Sequence, residues 1–171
     1  MVLTLNPKRL FHEAGSRLFC CRHLSTGGNM PLINFGSILN FAEQLETQDG
    51  DFYTAAAANR FCAGFRELFD QFAKDAAKNV KNIQRTRREN VTEMILEQIR
   101  DFTRDAFIES SQGADTMDAA QVLETALRLE ERAQRYYREA AQKLKALSEV
   151  ARTLEMVGKK HRAHFLKLQE L

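Results

Sequence analysis

Two glutamates open the same short pattern at two places in the chain. Leu45-Glu46 is followed by Phe52-Tyr53 and then by Ala55-Ala56. Leu129-Glu130 is followed, at the same spacing, by Tyr136-Tyr137 and then by Ala140. On a helix, at roughly 100° per residue, Glu46 lies about 20° from Leu39 and Tyr53 and about 40° from Ala42. By the same arithmetic Glu130 lies about 20° from Ala119, Leu123 and Tyr137. Each acid thus stands inside an apolar stripe, where a carboxylate without a partner is costly. Two buried acids in matching positions call for a shared partner, and a metal cation is the obvious one. The alternative is a polar network in which the carboxylates accept hydrogen bonds from Tyr53, Tyr137, Asn79 or His161. His161 falls on a stripe of its own with Val150, Leu154, Val157, Phe165 and Leu168. His164 and Asp49 lie at stripe edges, and Asn79 offers only a neutral oxygen. Glu46, Glu130, His161 and His164 together would give one ion mixed nitrogen and oxygen ligation.

Four helices must position these residues. Helix 1 is predicted to start after Pro31 with Asn34 as N-cap and to run to about Ala58, with Gly50 as a weak point inside it. Asn59 and Gly64 bracket a short turn. Helix 2 spans about Phe65 to Arg88, with Phe65, Leu68, Phe69, Phe72, Ala76, Asn79 and Ile83 inward. Arg85, Arg87 and Arg88 suit its C-terminal end. Residues 90–109 read as helical again, a crossover segment packed on the bundle. Helix 3 is expected from about Thr116 to Leu147 with Asp115 as N-cap. Ser148 is expected to cap a helix 4 that runs nearly to Leu171.

Composition sets the outer bounds. A chain of 171 residues, 28% charged and 44% hydrophobic, with only 8 Gly and 2 Pro, is long enough for one helical domain with a sizeable core. A net charge of +2 makes no case for nucleic acid, and no apolar run reaches the length of a membrane span. Cys20, Cys21 and Cys62 form no Cys-x-x-Cys pair, which leaves out a zinc knuckle and a rubredoxin-type iron site. Cys62 reads as a small buried or half-buried thiol. Residues 1–30 stand apart, with Lys8, Arg9, Arg17 and Arg22 against Glu13 alone. They read either as an upstream start, with Met30 the true initiator and a cytoplasmic protein, or as a mitochondrial targeting segment. Under both readings they lie outside the fold, which occupies residues 31–171.

Two helical hairpins, each opening with Leu-Glu-x5-aromatic-Tyr and joined by a long crossover, resemble the ferritin-like superfamily and, within it, the rubrerythrin branch. Residues 35–58 and 116–171 carry the resemblance, and helix 2 shares only its apolar pattern. It implies an all-α, ferritin-like four-helix bundle with a long helical crossover between helices 2 and 3. It also implies a di-iron carboxylate centre that reduces peroxide or oxidises ferrous iron. In that family helices 1 and 3 each give one glutamate, and helices 2 and 4 each give a Glu-x-x-His pair. Glu46 and Glu130 match the first and third helix ligands. Helix 2 offers Ala76-Ala77-Lys78-Asn79 or Asn79-Val80-Lys81-Asn82, without a carboxylate or imidazole. Helix 4 offers Gly158-Lys159-Lys160-His161 or His161-Arg162-Ala163-His164, a histidine without its glutamate. The expectation is therefore an incomplete site, with iron or another divalent metal on Glu46, Glu130, His161 and His164. If the protein is an enzyme, it is a rubrerythrin-like oxidoreductase. The rival expectation is a metal-free bundle that serves as an interaction or structural protein, and a third is a small-ligand pocket between the helices. A homodimer is allowed, and no redox partner can be carried over.

Overall fold

A computed structural model describes residues 31–90, 99–109 and 113–171. The N-terminal extension read from the sequence lies outside the described residues. The described residues are all-α, with four α-helices among them: α1 Phe35–Ala58, α2 Arg66–Glu89, α3 Ala119–Lys143 and α4 Ser148–Gln169. No strand occurs among the described residues, and none of their helices is long and apolar enough to cross a membrane.

Helix α1 begins where its cap predicts. Asn34 Oδ1 accepts from the Ser37 amide at 2.8 Å, and Ser37 Oγ accepts in return from the Asn34 amide at 3.2 Å, which satisfies two end groups of the chain. Gly50 is continuous with the helix and faces Ala76 of α2, so small residues meet where the two helices cross. At its other end Asn59 works as a latch. Its Oδ1 accepts from the Phe61 amide at 2.8 Å and starts the 3-10 turn Arg60–Phe65. Its Nδ2 donates to the Ala114 carbonyl at 2.7 Å and the Met117 carbonyl at 2.8 Å, tying the first hairpin to the entry of α3. These groups are buried, so Asn59→Ala is expected to cost about 2–3 kcal/mol in urea unfolding. A loss below about 0.5 kcal/mol would show that water replaces the latch.

The crossover differs from its prediction. Residues 91–98 lie outside the described part, but residues 99–109 hold no α-helix, only the 3-10 turn Asp105–Phe107. Asp101 adopts φ 57, a left-handed conformation that ends any helix and that Asp tolerates better than most residues. The chain runs extended beside residues 31–33: the Leu32 amide donates to the Phe102 carbonyl at 2.8 Å, and the Ile99 amide to the Ile33 carbonyl at 3.0 Å. Phe102 and Phe107 still pack on the bundle as read, each within 5.7 Å of the Tyr136 ring centroid. Lys143 and Arg135 of α3 hold the segment from outside by donating to the Arg100 and Ala106 carbonyls.

Helix α3 starts later than expected. Asp115 falls in the 3-10 turn Ala114–Thr116, and the cap is Asp118, paired reciprocally with Gln121. The helix ends at Lys143, and Leu144 and Leu147 bury themselves in the turn that follows. Ser148 makes no capping bond and is the first residue of α4.

The core falls into two apolar clusters. One gathers Phe35, Leu39, Leu45, Ile83, Tyr136, Tyr137, Leu154 and Val157. The other gathers Phe52, Tyr53, Cys62, Phe69, Phe72, Val122, Leu129 and Leu168. Between them lies a layer of buried polar residues from all four helices: Glu46, Asp49, Asn79, Glu130, Arg132, His161 and His164.

Candidate metal centre

The repeated glutamate and tyrosine serve each other across the bundle. Tyr137 on α3 donates to Glu46 Oε1 on α1 at 2.6 Å, and Tyr53 on α1 donates to Glu130 Oε1 on α3 at 2.5 Å. The tyrosine follows its glutamate by seven residues, which keeps both on one helix face. The facing helix then supplies the acceptor. Burial, reinforced by the adjacent carboxylate, holds both phenols well above their usual range, so each remains a donor.

His161 of α4 bridges the two acids. Its Nδ1 lies 2.6 Å from Glu130 Oε2 and its Nε2 lies 2.8 Å from Glu46 Oε1, while its ring stacks on Tyr137. Burial alone would push the imidazole toward neutrality, but Glu46 and then Glu130 raise it well above 6.5. Burial would likewise raise Glu130, yet the charge and hydrogen bond of His161 bring it down to about 2. Both partners' shifts agree in sign: an imidazolium between two carboxylates.

Two groups close the layer on the Glu46 side. Asn79 of α2 donates to Glu46 Oε2 at 3.1 Å, and its own Oδ1 accepts from Lys160 Nζ at 2.9 Å. Gly158 lies one turn earlier on α4, where an added Cβ would come within 3.1 Å of the Tyr137 Cβ. Asp49 forms a buried ion pair with Arg132.

On the Glu130 side stands His164, held against Phe72 with ring centroids 3.9 Å apart. Its Nε2 is 3.5 Å from Asp75 Oδ2, and its Nδ1 is 3.3 Å from Glu130 Oε1. That Nδ1 is buried and makes no hydrogen bond. Glu130, His161 and His164 each offer one ligand atom, all within 4.8 Å of one another. In both histidines Nδ1 faces Glu130 and Nε2 faces a further acid, Glu46 or Asp75. A carboxylate behind the imidazole is how metal-ligating histidines are commonly oriented.

The residues fit one ion and not two. Glu130, His161 and His164 supply two nitrogens and a carboxylate, and one donor is an orphaned buried atom. Around Glu46 the further groups are a neutral amide and the Lys160 ammonium, which would repel a second cation. Gly158 cannot be replaced there by a glutamate without moving Tyr137.

All four residues named from the sequence meet in the layer. Glu46 does so behind His161 rather than beside His164. Three participants were not anticipated. Lys160 reaches inward to Asn79. Asp75 backs His164. Arg132 pairs with Asp49, and a signal for it existed: on α3 it lies three residues after Leu129 and four before Tyr136, on the buried face. No family model matches the chain, and no curated protein and no solved structure matches it.

Proposed function

We propose that this protein is a ferritin-like bundle of the rubrerythrin kind that holds a single divalent cation on Glu130, His161 and His164. The observation that carries this reading is the buried Nδ1 of His164, which makes no hydrogen bond yet lies 3.3 Å from the same carboxylate that meets the Nδ1 of His161. Glu46 and Asp75 would then fix the tautomers of the two histidines by accepting from their Nε2 atoms. Iron bound there would supply redox chemistry toward oxygen or peroxide. The chain's own part is to exclude water, through the two apolar clusters, and to hold the carboxylates by hydrogen bonds donated from the Tyr53 and Tyr137 phenols. A cation displaces the proton on His161 Nδ1, so binding should release a proton and weaken as pH falls.

A second reading has its own support. With His161 protonated, Glu46, Glu130 and Asp49 face His161, Arg132 and Lys160, so the layer is charge-balanced without any metal. The protein would then be a metal-free bundle with a structural or interaction role.

One experiment separates them. Protein purified under anaerobic conditions, loaded with Fe²⁺, Mn²⁺ or Zn²⁺ and desalted, is expected to retain about one ion per chain. Glu130→Gln and His164→Ala should abolish retention, and Glu46→Gln should weaken it about 10- to 100-fold by loosening His161. Retention below roughly a tenth of an ion per chain would overturn the metal reading. Two ions per chain would overturn the single-ion stoichiometry.

A further inference from the structure

The two hairpins leave a cleft between the C-terminal half of α2 and the N-terminal half of α4, about 210 Å³ in volume. We propose that this cleft binds a small organic oxyanion, a carboxylate or a phosphate, with Lys160 as its innermost contact. Its charged lining comprises Arg85, Arg152 and Lys160 against the single acid Glu149. Arg85 has only a loose, exposed contact with Glu89 at 4.0 Å, and Arg152 has no ion pair among the described residues. Lys160 carries three N–H donors and gives one of them to Asn79 Oδ1. It makes no other hydrogen bond to described residues. A partly buried ammonium with spare donors, lining one cleft with Arg152 of the same helix and Arg85 of α2, is an incomplete anion cradle. The α4 side of the cleft also carries apolar surface, from Val157 and from Met156, which is 53% exposed. An oxyanion with a short carbon chain matches both kinds of lining and the volume. An inorganic ion would leave the apolar surface unused.

The cleft includes none of Glu130, His161 and His164, so its test uses metal-free full-length protein. Butyrate, acetate and inorganic phosphate are titrated at constant ionic strength, with sodium chloride as the reference salt, and amide chemical shifts are followed. Saturable shifts around Arg152 and Val157 are expected with butyrate or phosphate and not with chloride. Butyrate binding tighter than acetate and phosphate identifies a carboxylate ligand with an apolar tail, and tighter phosphate identifies a phosphate ligand. Either ordering supports the cleft. Lys160→Met should weaken binding at least about tenfold. Lys159→Met, one residue along on the exposed side, should leave it unchanged. If Lys160→Met fails to fold, Arg152→Gln carries the same comparison. Shifts that do not saturate, shifts equal to those with chloride, or equal weakening by the two lysine variants would each overturn the proposal.

Discussion

Replacing His161 by alanine is expected to cost metal-free protein about 3–5 kcal/mol at pH 7. The variant leaves Glu46 and Glu130 buried without the cation that both contact. The pH profile should change with it. In the native protein His161 is raised well above 6.5, so its contribution is complete below that value and lost as pH rises through the folded one. Glu130 is lowered from 4.5 to about 2, so its contribution is complete above 4.5 and lost as pH falls toward 2. In His161→Ala the Glu130 carboxylate loses that counter-charge and takes up a proton more readily. The variant should therefore gain stability as pH falls from 6.5 to 4.5, where the native protein keeps the full contribution of His161 and Glu130. Urea unfolding across that range reads the difference directly. A variant that loses less than about 1 kcal/mol and follows the native profile would show that His161 is neutral in the layer.

Asp49→Ala should cost a similar amount, about 3–5 kcal/mol at pH 7, by stranding the Arg132 guanidinium inside the bundle. Burial raises Asp49 from 3.8 to about 6 against the opposing pull of Arg132. Its ionisation is thus harder in the folded state than in the unfolded one, and the stability tied to it falls as pH rises from 3.8 through about 6. The double variant Asp49→Leu/Arg132→Met removes both charges and keeps apolar volume. It is expected to be neutral or to stabilise by about 1–4 kcal/mol, far from the sum of the single losses. If the double variant loses as much as the singles combined, volume and not charge governs these positions.

Much of this arrangement was legible from residue spacing, and what was missed has physical causes. The helical period placed Glu46, Glu130 and His161 on inward faces because apolar residues surround each of them at intervals of three, four and seven. Asn34 was readable as a cap because its partners are local. The crossover was not, since Phe102 and Phe107 are buried by contact with Tyr136 rather than by a helical period, and the left-handed turn at Asp101 leaves no unambiguous mark in sequence. Asp115 and Asp118 are chemically equal candidates for the start of α3, and only Asp118 finds a reciprocal partner, in Gln121. Lys160 gave no signal in the sequence because a lysine stem can carry its charge away from the position that its backbone marks.

The exchange of tyrosine and glutamate between α1 and α3 also bears on how the halves recognise each other. Tyr53 meets its acceptor only when Glu130 arrives from the other hairpin, and Tyr137 likewise needs Glu46. Oily contacts alone tolerate sliding, since leucine packs against leucine in many alignments. A displacement by one helical turn, about 5.4 Å, would preserve much of that contact while stranding both acids. Such near-miss dockings are penalised by several buried charges at once, so the layer acts as a vernier that admits one alignment and rejects its neighbours. A bundle with leucine at these positions would have more ways to fit together, even if each were more stable.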